Sequence, residues 1–153
     1  MTYYLVMVRG EPVTQGSMNG YSIAGKVRLV DRHAKEIKTF RANVKQALDE
    51  SYPLVKGPYF RAPAPVFVCA TFYMAKPKSA PKSRLYPSVK KADTDKLTRA
   101  VLDALTGNAY DDDSQVVSLH STKLYCDAGR ERTAIAITND IKTYYEFLGE
   151  AKL

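Results

Sequence analysis

The sequence predicts an α+β fold: one domain spanning residues 1–153, with a mixed β-sheet packed by helices. Three observations carry that expectation. The chain has 153 residues, and a single core usually serves roughly 100–200. Two segments place apolar residues at three- and four-residue steps, the signature of one buried helix face. Around them lie short runs rich in β-branched and aromatic residues, bounded by Gly and Pro.

Taken in order, Tyr3 to Val8 reads as a first strand, and Gly10 to Ser17 as a turn-rich loop. A hairpin is expected around Tyr21 to Val30, punctuated by Gly20 and Gly25. Asp31 is the expected N-cap of a helix from Arg32 to Tyr52. Ile37, Phe40, Val44, Ala47 and Leu48 would form its apolar face, with Lys35, Lys38, Arg41 and Lys45 off that stripe, on a solvated face or against phosphate. Pro53, Pro58, Pro63 and Pro65 break the chain. Val66 to Met74 is apolar almost without interruption, as a strand covered on both faces would be. A long basic linker follows, Ala75 to Ala92. A second helix starts at Asp93, buries Leu97, Ala100, Val101, Ala104 and Leu105, and stops at Gly107. Gln115 to Tyr125 and Thr133 to Thr138 read as strands, with Val117, Leu119, Thr122 and Leu124 expected to be available for burial. Asp140 to Leu148 reads as a last helix.

Charge narrows the function. The chain carries 23 Lys and Arg against 16 Asp and Glu, a formal net charge of +7. Such an excess favours capture of polyanions. Its layout is more telling than its size. From Ser51 to Ala92 there is no acidic residue and there are eight basic ones, and the run ends directly at an acidic cluster. A basic arm beside carboxylates suits a polyanionic substrate held against metal ions. Lys76, Lys78, Lys82, Arg84, Lys90, Lys91 and Lys96 are the expected DNA contacts.

Other classes lose ground. No stretch approaches the roughly 20 apolar residues of a membrane span, and the short apolar start runs into Arg9 and Glu11 rather than a cleavage site. Cys69 and Cys126 form no CxxC pair, and His33 and His120 are isolated, which argues against zinc. Unpaired cysteines fit a reducing, cytoplasmic setting.

Asp93, Asp95 and Asp113 are the candidate metal ligands. Hard divalent cations take carboxylate oxygens, and Mg²⁺ keeps several waters beside one or two of them. Arg99 follows Asp95 by one helical turn and Asp103 follows Arg99 by another, so the three share a helix face. Either they form an exposed ion-pair ladder, or Arg99 supports the carboxylates or a phosphate. The D-x-D pair alone also fits a nucleotidyl or glycosyl transferase, or a non-catalytic nucleic-acid-binding module in which Asp93 is only a helix cap. The transferase would need a Gly-rich phosphate loop, and none is present.

The segment Asp93-Thr94-Asp95-Lys96-Leu97, running into Asp103-Ala104-Leu105-Thr106-Gly107 and then Asp112-Asp113-Ser114-Gln115-Val116, resembles the RusA family of Holliday-junction resolvases. The opening Gly10-Glu11-Pro12-Val13-Thr14-Gln15-Gly16-Ser17 resembles that of its phage-type members. Thr71-Phe72-Tyr73 and Lys76-Pro77-Lys78 resemble their central strand and exit loop. The resemblance implies a RusA-like endonuclease fold and a homodimer that binds four-way DNA junctions. It implies paired nicks in opposed strands with Mg²⁺ or Mn²⁺, in DNA recombination and repair. It places the metal-binding aspartates on Asp93, Asp95 and Asp113, and the family's helix lysine on Arg99. That last position departs from the pattern, since Arg does not simply replace Lys, and Lys96 is a second candidate for the basic role. Asp112 is expected to orient the turn.

Overall fold

The computed structural model describes residues 3–79 and 87–150. Its elements are β1 (Tyr3–Arg9), β2 (Met18–Ile23), β3 (Lys26–Asp31), α1 (Ala34–Ser51), β4 (Val66–Ala75), α2 (Thr94–Leu105), a 3₁₀ turn (Asp113–Gln115), β5 (Val116–Cys126), β6 (Arg132–Thr138) and α3 (Ile141–Glu150). The order strand, hairpin, helix, strand, helix, two strands, helix is the one the sequence predicts.

The main sheet has the order β1-β6-β4-β5. β6 pairs antiparallel with both β1 and β4, whereas β4 and β5 run parallel. A parallel pair needs a crossover, and α2 supplies it. The expectation of a mixed sheet and of a central 66–74 strand therefore holds. Alternate residues of β4 face opposite ways. Val66, Val68, Ala70, Phe72 and Met74 join Phe40, Val44, Leu97, Val101 and Leu105 in one core under α1 and α2. Phe67 faces the other way and meets Tyr144 of α3, with ring centroids 5.2 Å apart.

Packing holds α2 in place. Leu97, Ala100, Val101 and Leu105 have no exposed surface and Ala104 almost none. Fully burying a large aliphatic side chain contributes roughly 1.5–3 kcal/mol. A side-chain cap contributes about 1 kcal/mol, and the N-cap residue Asp93 makes no such bond. Its carboxylate is thus not spent on starting the helix. At the other end Gly107 takes φ +80° just beyond the C-cap Thr106, as expected of a helix-stop glycine.

Two local expectations need correction. The N-cap of α1 is His33, not Asp31. Asp31 instead accepts the His33 N–H at 2.9 Å and the Gly16 N–H at 2.6 Å, tying the hairpin's end to the loop before it. Val117 and Leu119 stay exposed, at 58% and 39%, and Thr122 is half-buried; of the four β5 residues only Leu124 is buried. The reason is sheet order: β5 is an edge strand. The described end of the basic linker is less loose than its composition suggests. Pro87 bridges to Leu124, Ser88 N–H donates to Lys123 O, and Lys123 Nζ donates to the carbonyls of Lys90 and Ala92.

β2 and β3 form a hairpin with a sheet of their own. Ala24 and Gly25 make its two-residue turn with φ of 50° and 73°, the conformation that matches strand twist.

Candidate active site

Asp95, Arg99 and Asp113 line one cleft, as does Asp103. It lies between α2 and β5, has a volume of about 440 Å³, and is completed by Thr94, Thr98, Leu102, Leu119 and Ser121. Asp95 and Asp103 are eight residues apart on α2, so they lie on one face two turns apart. Thr98 fixes helix to strand. Its hydroxyl donates to Thr94 O at 2.7 Å and lies 2.7 Å from the Ser121 hydroxyl.

Asp113 arrives by a different route. Asp112 caps the 3₁₀ turn: its carboxylate accepts the Ser114 N–H at 2.8 Å, and Gln115 Oε1 accepts the Asp112 N–H at 3.0 Å. These bonds hold the Asp112 carboxyl below the usual carboxylate range, the Ser114 contacts being the cause. Gln115 is buried. Its amide also accepts the Asp111 N–H at 2.9 Å and donates to Phe60 O and Ala64 O at 3.2 and 2.9 Å. The turn is thereby locked to the proline-rich segment before β4. Asp112 orients it, as expected, and Asp113 is left to face the cleft.

Neither the Asp95 nor the Asp113 carboxylate has a hydrogen-bond or ion-pair partner among the described residues. Asp93 differs. It opens onto the neighbouring cleft with Lys91 and Lys96, and its carboxylate lies 3.4 Å from Lys96 Nζ. Among the described residues, no three Asp, Glu, His or Cys side chains come together closely enough to hold a metal ion. The donors nonetheless suit a hard cation in kind, being carboxylate oxygens with neither thiol nor imidazole beside them.

The ladder along α2 does not form. Arg99 makes no ion pair with a described residue. Asp103 is taken by other partners: the Gln15 side-chain amide donates to it, and Arg41 Nη2 lies 3.5 Å from it. Gln15 Oε1 in turn accepts from Arg41 at 3.2 Å. The loop at 10–17 therefore docks onto α2. Gln15 N–H donates to Lys96 O at 3.0 Å, and Lys96 Nζ to the Ser17 hydroxyl at 3.4 Å. Gly16, at φ +104°, leaves room for the Arg99 guanidinium. Sequence reasoning singled out the loop but gave neither Gln15 nor Arg41 a protein partner. The signals were the Asp103 spacing on α2 and the loop's own pattern.

The expected DNA contacts are spread around this region. Lys78 and Lys91 are exposed, and Lys96 is partly so. Lys90 lies 3.9 Å from Glu11, and Lys76 is held 3.0 Å from Asp127 with its side chain only 18% exposed. Lys82 and Arg84 lie outside the described residues.

The family model for endodeoxyribonuclease RusA matches residues 10–138. The chain belongs to the RusA family. The match takes in the docking loop, α2, the Asp112–Gln115 turn and every strand of the main sheet except β1. The chain is also 32% identical over 133 residues to the uncharacterized protein YqaN of Bacillus subtilis (strain 168), covering 84% of this chain and 92% of that one. RusA membership makes the protein a DNA-cutting hydrolase by family, and the likeness to YqaN adds no activity of its own. No described helix is long and apolar enough to cross a membrane.

Proposed function

We propose that this RusA-family chain is a metal-dependent, structure-selective endonuclease of one domain that resolves four-way DNA junctions. It would nick opposed strands in pairs, in recombination and repair in the cytoplasm. The observation that carries this reading is the meeting of two separate motifs, the D-x-D helix and the D-D-x-Q turn, in one cleft through Asp95 and Asp113. Family membership favours this reading over a transferase or a non-catalytic binding module.

Asp95 and Asp113 would hold Mg²⁺ or Mn²⁺ together with Asp93, whose tie to Lys96 is an exposed ion pair of little net worth. A bound divalent cation of this kind supplies an activated water and a stabilised leaving oxygen. Arg99, on the same cleft and without an ion pair among the described residues, would neutralise charge on the scissile phosphate. Lys78, Lys82, Arg84, Lys90, Lys91 and Lys96, with Lys76 at the base of the arm, would follow the backbone of the substrate. Paired cuts need two active sites related by a two-fold axis, hence a homodimer.

The test is direct. Purified protein with Mg²⁺ or Mn²⁺ should nick a synthetic four-way junction symmetrically. Asp95→Asn should abolish nicking and leave junction binding intact. A wild-type protein that cuts neither branched nor duplex DNA with any divalent cation would rule the enzyme reading out.

A further inference from the structure

A second cleft adjoins the first. It has a volume of about 370 Å³ and is lined by Gln15, Gly16, Asp31, Lys38, Arg41 and Arg99 together with Met18, Ala34 and Ile37. Arg99 lines both clefts, so the two meet at that residue. Three cations thus converge from two helices. Lys38 and Arg41 are three residues apart on α1 and project from the same side, facing Arg99 of α2.

The cleft holds one carboxylate against these three cations, which leaves positive charge in excess. Asp31 has one oxygen on the Gly16 N–H and the other on the His33 N–H. Nor are the cations consumed by one another's partners. Lys38 and Arg99 form no ion pair among the described residues. Arg41 does bind Gln15 and Asp103, but both bonds use Nη2 alone, so they aim the guanidinium and leave Nη1 and Nε to a ligand. A planar guanidinium fixed in this way recognises phosphate oxygens better than a loose one.

We propose that Lys38, Arg41 and Arg99 form a phosphate-binding subsite for the DNA strand beside the scissile bond. The strand would enter the carboxylate cleft past Arg99 and continue across α1. This rests on the nuclease reading above, and it extends the substrate path onto a face of α1. The ligand is the phosphodiester backbone, so the subsite adds affinity without sequence preference.

Salt dependence of binding tests it. A labelled four-way junction and a duplex of one arm are titrated in EDTA, where no cutting occurs, at several salt concentrations. Each phosphate contact contributes roughly 0.7–0.9 to the slope of log Kobs against log salt. Lys38→Gln should flatten that slope by about this amount and weaken both DNAs alike. Arg41→Lys, which keeps the charge, should retain the slope, and Lys38→Gln with Arg41→Gln should flatten it further. Lys142→Gln removes an equal charge from α3, behind the sheet, and should leave the slope unchanged. A wild-type slope in the double variant, or equal flattening by Lys142→Gln, would overturn the subsite. Wild-type protein with no salt-dependent DNA binding would instead bring down the nuclease reading itself.

Discussion

Gly16 and Arg99 are one structural unit. A Cβ built on Gly16 would stand 2.9 Å from Arg99 Nη1, at a backbone φ of +104°. The flexible guanidinium would give way, so Gly16→Ala should fold, with some loss of stability from the strained backbone. Its nicking rate should fall as Arg99 is pushed off the cleft it lines. Single-turnover rates read beside a melting curve separate the two effects; an unchanged rate would mean that the position of Arg99 does not matter. The side chain itself can be tested in the same assay. If Arg99 neutralises phosphate charge, Arg99→Ala should slow nicking by roughly 10²-fold, the scale of losing one stabilising donor. Arg99→Lys should recover most of it. Were Lys96→Ala the slower variant, the basic role would belong to Lys96. Sequence alone could not choose between them, because both lie within a turn of Asp95. The structure separates them by partner: Lys96 is committed to Asp93 and Ser17, and Arg99 to neither.

The turn that delivers Asp113 depends on contacts distant in sequence. Gln115 bonds two backbone N–H groups within its own turn, and two carbonyls 55 and 51 residues away at Phe60 and Ala64. Gln115→Ala would strand buried backbone groups, and each unsatisfied group costs about 1–3 kcal/mol. Urea unfolding should therefore show a loss of about 2–3 kcal/mol. Gln115→Glu keeps the acceptor but sets a carboxylate against two carbonyl oxygens, so it should fare no better. A Glu variant as stable as wild type would show that the amide donors hold nothing. This contrast explains what was legible. The D-D-x-Q pattern, the α2 stripe and the run at 66–74 are local and period-bound, and they were readable from residues alone. The docking of Gln15 on Asp103 and of Gln115 on Phe60 joins segments far apart in sequence, which no local pattern encodes. The exposure of Val117 and Leu119 was hidden for the same reason, since a strand's place at the edge is a property of the sheet's order.

Across the whole molecule, β1 is the other edge of the sheet, and an exposed edge invites pairing with a second chain. The Tyr52 hydroxyl blocks this one, accepting the Leu5 N–H at 2.7 Å and donating to Leu5 O at 3.0 Å. Behind it, Tyr4 stacks on Tyr59 with ring centroids 4.0 Å apart, and both rings meet Tyr52 edge to face. This cluster joins β1 to the end of α1 and to the segment that Gln115 holds. Its ionisation is therefore linked to folding. Burial pushes the Tyr59 phenol up from 10.0 to about 12, with the Asp49 charge adding to the effect, and burial raises Tyr4 in the same direction. The neutral phenol is the form the fold favours. A group whose pKa is higher folded than unfolded gives its full stabilisation below the unfolded value and loses it as pH rises through the folded one. Stability should thus hold up to about pH 10 and decline between there and about pH 12. Tyr59→Phe keeps the ring contacts and removes the proton, so its denaturation midpoint should fall less steeply over that interval. The other ionisable groups are common to both proteins, and the difference between the two curves isolates Tyr59. Parallel curves from pH 9 to pH 12 would mean that Tyr59 ionises as readily folded as unfolded, and that the aromatic cluster does not exclude water from its hydroxyl.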